Sequence, residues 1–129
     1  MPAAAEMQVM VVDDQRAVRN LVRASLNELG CTRVTECADG REALVSLRAN
    51  PVHLVISDMT MPVMDGIALL RAMRAEPNLV GVGFIMLTSR GEAELVKQAI
   101  AAGVNNYLVK PFTMATLRRK IEAVFGPLT

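Results

Sequence analysis

A doubly wound α/β fold, with a five-stranded parallel sheet and helices on both faces, is predicted by three features of the sequence. Short continuous apolar runs recur, too short for helices and rich in β-branched residues, as strands buried on both faces are. Segments with apolar residues at helical spacing separate them, so strand and helix alternate five times. Several runs also stop at an acidic, hydroxyl or cationic residue, which puts those groups where strands leave the sheet.

The central run is His53-Leu54-Val55-Ile56-Ser57-Asp58, followed by Met59-Thr60-Met61-Pro62-Val63-Met64-Asp65-Gly66. Its apolar stretch ends at Asp58; Pro62 forbids a simple continuation, and Asp65-Gly66 reads as a turn and helix start. Nearer the N terminus, Gln8-Val9-Met10-Val11-Val12 is a second buried strand, ending in Asp13-Asp14. The helix after it carries Val18, Leu21, Val22, Ser25, Leu26 and Leu29 at helical spacing and closes at Gly30. Arg16, Arg19 and Arg23 fall on its other side, read as a solvated face.

Arg33-Val34-Thr35-Glu36-Cys37 alternates as an edge strand does. Asp39-Gly40 opens a short helix through Ala43, Leu44 and Leu47, which ends before Asn50-Pro51. From Asp65-Gly66 a helix with Ile67, Leu69, Leu70 and Met73 runs to near Glu76-Pro77. Gly83-Phe84-Ile85-Met86-Leu87 is the fourth strand, ending in Thr88-Ser89, and 92–102 is an alanine-rich helix closed by Gly103. Asn106-Tyr107-Leu108-Val109 is the fifth strand, ending in Lys110-Pro111. Thr113 caps a last helix with Leu117, Ile121, Val124 and Phe125 inward, and Gly126-Pro127 ends it.

With 129 residues, 52% apolar and 21% charged, the chain suits one globular domain with a full core. Its expected limits are 8–126, with short tails at 1–7 and 127–129. No apolar run approaches the roughly 20 residues that cross a bilayer. Met1-Pro2-Ala3-Ala4-Ala5-Glu6 lacks the basic start and apolar core of a secretory signal, so a cytoplasmic protein is expected. A net charge of +1 argues against a dedicated nucleic-acid binder. Cys31 and Cys37 have no metal-ligand spacing and read as buried packing thiols. His53, the single histidine, has no nucleophile motif beside it. Met59, Met61 and Met64 read as packing around the Pro62 turn.

Right-handed crossovers make the strands run one way, so their C-terminal ends share a rim, and ligands bind there where the strand order reverses. To that rim the first strand delivers Asp13 and Asp14, the third Asp58, the fourth Thr88 and the fifth Lys110. Close carboxylate pairs repel by roughly 4 kcal/mol at about 4 Å and an effective dielectric near 20. That is large against a total stability of roughly 5–15 kcal/mol. One lysine cannot neutralise three such charges, so a hard divalent ion is implied, and an all-oxygen set suits Mg²⁺. If Asp58 became an acyl phosphate, its single charge would be replaced by about two. Mg²⁺ would bridge phosphoryl oxygens, Lys110 would pair with another, and the Thr88 hydroxyl would donate to a third. Carboxylate attack on phosphorus is established chemistry and needs little beyond positioning and neutralisation.

Val11-Val12-Asp13-Asp14, Ser57 to Gly66, Leu87-Thr88 and Tyr107-Leu108-Val109-Lys110-Pro111-Phe112 together resemble the receiver domain of two-component response regulators, over residues 8–125. The resemblance implies a flavodoxin-like strand order of 2-1-3-4-5. It implies that Asp58 accepts phosphate from the phosphohistidine of a CheA-like histidine kinase. Mg²⁺ would be held by Asp14, Asp58 and the Thr60 carbonyl, with Asp13 acting through water. Thr88 and Tyr107 would be a coupled switch pair, and a cis Lys110-Pro111 bond would aim the Lys110 amine into the site. Thr60 and Arg90 occupy the two positions that tune phosphate lifetime; with no amide at Thr60 and a guanidinium at Arg90, slower autodephosphorylation is expected.

The single-domain chemotaxis-regulator branch fits best: a monomer, not an enzyme beyond its own phosphorylation and dephosphorylation. Its output face is helix 4-strand 5-helix 5, near Arg118-Arg119-Lys120, with a flagellar motor switch protein as the natural target. A phosphorelay intermediate or phosphate sink is the alternative within the family. A flavin electron carrier on the same fold is disfavoured by Asp13-Asp14-Gln15-Arg16 in place of a phosphate loop and by 3% aromatic content. A metal-dependent phosphatase lacks an acid–base residue beside the nucleophile.

Overall fold

The computed structural model describes residues 3–89 and 92–129. Among them, strands β1 (Gln8–Val12), β2 (Arg33–Cys37), β3 (Leu54–Asp58), β4 (Gly83–Thr88) and β5 (Asn106–Val109) are all parallel and ordered β2-β1-β3-β4-β5. Helices α1 (Arg16–Glu28), α2 (Gly40–Ala49), α3 (Gly66–Arg74), α4 (Ala93–Ala101) and α5 (Met114–Phe125) make the crossovers. The predicted architecture is therefore present.

Each central strand hides its two-residue period because both faces are covered. Val9, Val11, Leu54, Ile56, Ile85 and Leu87 pack with Val22 and Leu26 of α1 and Leu117 and Ile121 of α5. Met10, Val12, Val55, Phe84 and Met86 pack on the opposite face with side chains of α2, α3 and α4. Burying each such side chain contributes about 1.5–3 kcal/mol, so strand register is strongly held. Caps fix where helices begin: Asp39 accepts from the Glu42 N–H at 2.9 Å, Asp65 from Ala68 at 2.8 Å and Thr113 from Thr116 at 3.1 Å. Each is worth about 1 kcal/mol.

Two expectations for α1 are corrected. Leu21 is 56% exposed, because the buried stripe runs through Val22 and Leu26 and Leu21 lies a full side-chain step off it. Arg19 and Arg23 are not a solvated face. Arg19 pairs with Glu36 at 3.2 Å and also donates to the Asp13 carbonyl; Arg23 pairs with Glu36 and donates to the Val34 carbonyl at 2.7 Å. Their long stems let them reach edge strand β2, which lies beside α1.

The described residues flanking 8–126, namely 3–7 and 127–129, pack on the domain. Ala4–Glu6 forms one 3₁₀ turn, Ala4 N–H donates to the Thr129 carbonyl at 3.1 Å, and Ala4, Met7 and Leu128 join the α1–α5 core. Cys31 and Cys37 are buried and free, and Met59 and Met61 are buried. His53 has a structural role, accepting the Gln8 N–H on Nδ1 at 2.9 Å. No helix among the described residues is long and apolar enough to cross a membrane.

Arg74 closes the base of the α3 side. Its guanidinium donates to the carbonyls of Val80 (3.1 Å), Val82 (2.8 Å) and Gly103 (3.0 Å) and to Asn105 Oδ1 (2.9 Å). Arg74→Ala removes this donor from three backbone carbonyls and leaves Asn105 Oδ1 with the Phe84 N–H alone, and urea unfolding is expected to show a loss of about 2–3 kcal/mol.

Candidate functional site

The strand order reverses between β1 and β3, and there the chain gathers its acidic groups. Asp13 and Asp14 follow β1 and Asp58 ends β3; one carboxylate oxygen from each lies within 4.8 Å of the others. Asp13 is fully buried, Asp58 half-buried and Asp14 exposed. Asp13 Oδ1 accepts the Gln15 N–H at 2.9 Å, while its buried Oδ2 has no partner. Burial pushes the Asp13 carboxyl up from 3.8 to about 6; the Gln15 N–H opposes the rise, Asp58 adds to it, and Lys110 partly offsets it.

Asp58 Oδ1 accepts the Met59 N–H at 2.9 Å and the Lys110 ammonium at 3.1 Å. Both bonds fall on one oxygen, so the other keeps its lone pairs for an electrophile. Lys110 follows β5, its N–H donates to the Thr88 carbonyl at 2.7 Å, and the Lys110-Pro111 bond is cis as expected.

Thr88 ends β4 and is 1% exposed. Its hydroxyl donates to the Ser89 carbonyl at 3.3 Å and Glu92 Oε2 at 3.4 Å, and not to Asp58. Tyr107, paired in register with Met86, is half-buried against the α2–α4 side of the core. The Lys120 ammonium lies 5.0 Å from its ring centre, within cation–π range. Of the basic triplet, Arg118 pairs with Glu122 at 3.6 Å and Arg119 donates to Thr116 at 3.3 Å. Thr60 is exposed two residues beyond Asp58, and Arg90 lies outside the described residues.

The loop from β3 to α3 is held against the site. Gly66 N–H donates to the Met59 carbonyl at 3.0 Å, and a Cβ at Gly66 would lie 2.2 Å from the Asp58 carbonyl oxygen. At its apex, Val63 has φ +70 and is 76% exposed, and the Met64 N–H closes a three-residue turn on the Pro62 carbonyl at 2.8 Å. A β-branched residue there is strained. Val63→Gly removes the strain and few contacts, so denaturant unfolding is expected to show a gain of about 1 kcal/mol.

The predicted rim residues Asp13, Asp14, Asp58 and Lys110 are thus brought together, with Thr88 beside them and its hydroxyl bonded to Ser89 and Glu92. Glu92 and the close approach of Gly66 were not anticipated. A glutamate four residues past Thr88 carries no signal, and Gly66 was read only as part of a helix start.

The donor set fits Mg²⁺. It is all oxygen, it concentrates three carboxylates against one ammonium, and it contains a buried oxygen, Asp13 Oδ2, that no protein group satisfies.

Residues 9–122 match the family model for the response regulator receiver domain, and the chain belongs to that family. It is a phosphorylation-accepting response regulator, homologous to the CheY chemotaxis regulators. A probable chemotaxis protein CheY of Rhizobium etli is 44% identical over 128 residues, covering 99% of both chains. The structure of the chemotaxis response regulator CheY4 of Vibrio cholerae superposes with a TM-score of 0.84 at 34% identity, covering 92% of this chain and 98% of that one. The receiver domain of a Pseudomonas aeruginosa sensor histidine kinase, solved with a magnesium ion coordinated in its active-site cleft, gives 0.83 at 33% identity and covers 93% and 98%.

Proposed function

We propose that Asp58 is the phosphoacceptor of a chemotaxis-type switch. The observation that carries this reading is the position of the Asp58 carboxylate, at the end of β3 with Lys110 Nζ 3.1 Å from one oxygen and two further aspartates beside it. An Asp58 oxygen forms the bond to phosphorus as the phosphohistidine P–N bond breaks. The electron pair of that bond leaves with the imidazole, which takes up a proton. Lys110 then pairs with a phosphoryl oxygen, and Thr88 turns its hydroxyl from Ser89 and Glu92 to another. Asp14, Asp58 and the Thr60 carbonyl would hold Mg²⁺, with Asp13 through water, and the ion when bound would offset charge on the transferring oxygens. The magnesium-bound relative supports that assignment.

Withdrawal of Thr88 opens space for the Tyr107 ring to turn inward, which remodels the face formed by α4, β5 and α5. Full conversion from 1:99 to 99:1 requires about 5.5 kcal/mol of differential interaction. Charge-assisted hydrogen bonds of about 1.5–3 kcal/mol each from Lys110 and Thr88 supply much of it. A CheA-like kinase is the donor and a flagellar motor switch protein the target, with the protein acting as a cytoplasmic monomer; the chemotaxis names of its relatives favour this over a phosphate sink.

Incubation with acetyl phosphate and Mg²⁺ should add one acid-stable, base-labile phosphoryl group. The adduct should be absent with chelator and from Asp58→Asn. Retention of label in that variant would refute the assignment. Thr60 and Arg90 are proposed to lengthen the phosphate's lifetime, so label should decay faster in Thr60→Asn and Arg90→Glu; equal decay would remove their role.

A further inference from the structure

We propose that Glu92 is a positioning residue that holds the Thr88 hydroxyl away from Asp58 in the unphosphorylated protein, and so sets the resting bias of the switch. The inference rests on Asp58 being the phosphoacceptor. Thr88 is 1% exposed, so its proton is committed to protein acceptors rather than water. It is shared between the Ser89 carbonyl at 3.3 Å and Glu92 Oε2 at 3.4 Å. Both distances exceed the roughly 2.8 Å of a well-formed hydroxyl bond, so the proton is loosely held and a closer, more highly charged phosphoryl oxygen takes it readily.

The other Glu92 oxygen, Oε1, accepts the Ser89 N–H at 3.2 Å, and Glu92 immediately precedes α4. One carboxylate therefore ties the end of β4 to the start of α4. No ion pair to Glu92 is present among the described residues, where the Thr88 hydroxyl and the Ser89 N–H are its hydrogen-bond donors. When Thr88 turns to a phosphoryl group, the carboxylate loses one of those partners, and the first turn of α4 loses part of its tether. Hydroxyl movement is thereby passed to the helix whose Leu95, Val96 and Ala99 share a core cluster with Tyr107.

Acetyl phosphate with Mg²⁺ is the probe, with phosphoryl occupancy of Asp58 followed by mass spectrometry and ring movement by fluorescence. Tyr107 is the only tyrosine and the chain has no tryptophan, so the emission reports one ring. In Glu92→Ala the acetyl phosphate concentration for half-maximal occupancy should fall roughly three- to ten-fold, the effect of one ordinary, long hydrogen bond. Unphosphorylated Glu92→Ala should already show part of the Tyr107 change. Glu92→Gln, whose amide oxygen still accepts from Thr88, should lie nearer the wild type. In a Thr88→Ala background, Glu92→Ala should produce no further shift in occupancy.

An unchanged half-maximal concentration in Glu92→Ala, or an equal shift with and without Thr88, overturns the proposal. So does a lowered melting temperature with neither reading moved, which would mean Glu92 only holds the β4–α4 connection together. Absence of label on Asp58 in the wild type overturns the phosphoacceptor reading beneath it, and that result is distinct from the others.

Discussion

Without divalent ions at about pH 7.5, Asp13→Asn is expected to unfold at a higher temperature than the wild type by about 10 °C, equivalent to about 3 kcal/mol. The cause is electrostatic. The Asp13 carboxyl titrates at about 6 in the folded chain against 3.8 in its ordinary state, because it is buried and faces Asp58 and Asp14. A raised folded value means that stability is full below about pH 3.8 and is lost as pH climbs through about 6. Asparagine does not ionise and escapes that loss. The advantage should therefore vanish near pH 3.5, where Asp13 is protonated in both states. Mg²⁺ narrows the gap: it should stabilise the wild type in proportion to its binding and Asp13→Asn less, since that variant keeps the direct ligands but lacks one charge facing the ion. Paired melts with and without the ion, across that pH range, check both halves.

Gly66→Ala is expected to cost about 3 kcal/mol or more and to slow labelling of Asp58. Its Cβ would meet the Asp58 carbonyl oxygen at 2.2 Å and the Met86 sulfur at 2.8 Å. Met86 could move, but the backbone of Asp58 could not without shifting the acceptor itself. Gly81→Ala is the matched control, since a Cβ there meets nothing within 4 Å. Urea unfolding and the initial rate of labelling should separate the two variants; similar behaviour would mean that the loop after β3 has room to spare.

The sheet was legible because parallel strands covered on both faces leave compact apolar runs, and the rim was legible because those runs end at charged residues. Helix starts at Asp39, Asp65 and Thr113 were legible from capping chemistry that acts within three residues. What could not be read depends on partners distant in the chain. Arg19 and Arg23 look solvated until Glu36, 17 and 13 residues on, is placed beside them. Leu21 differs from Val22 only by rotation about the helix axis, which a broad apolar stripe does not resolve. The unsatisfied Asp13 Oδ2 and the contact from Thr88 to Glu92 are facts of three-dimensional orientation, and no spacing rule encodes them.

The central claim is that one side chain, Asp58, carries the phosphoryl group. Borohydride reduces an aspartyl phosphate to homoserine, so treating the acetyl phosphate- and Mg²⁺-incubated protein with it, then sequencing the peptides by mass spectrometry, reads the site directly. Homoserine at position 58 alone is the expected result. Homoserine at 13, 14 or 65, or an unmodified chain from a folded sample, would contradict it.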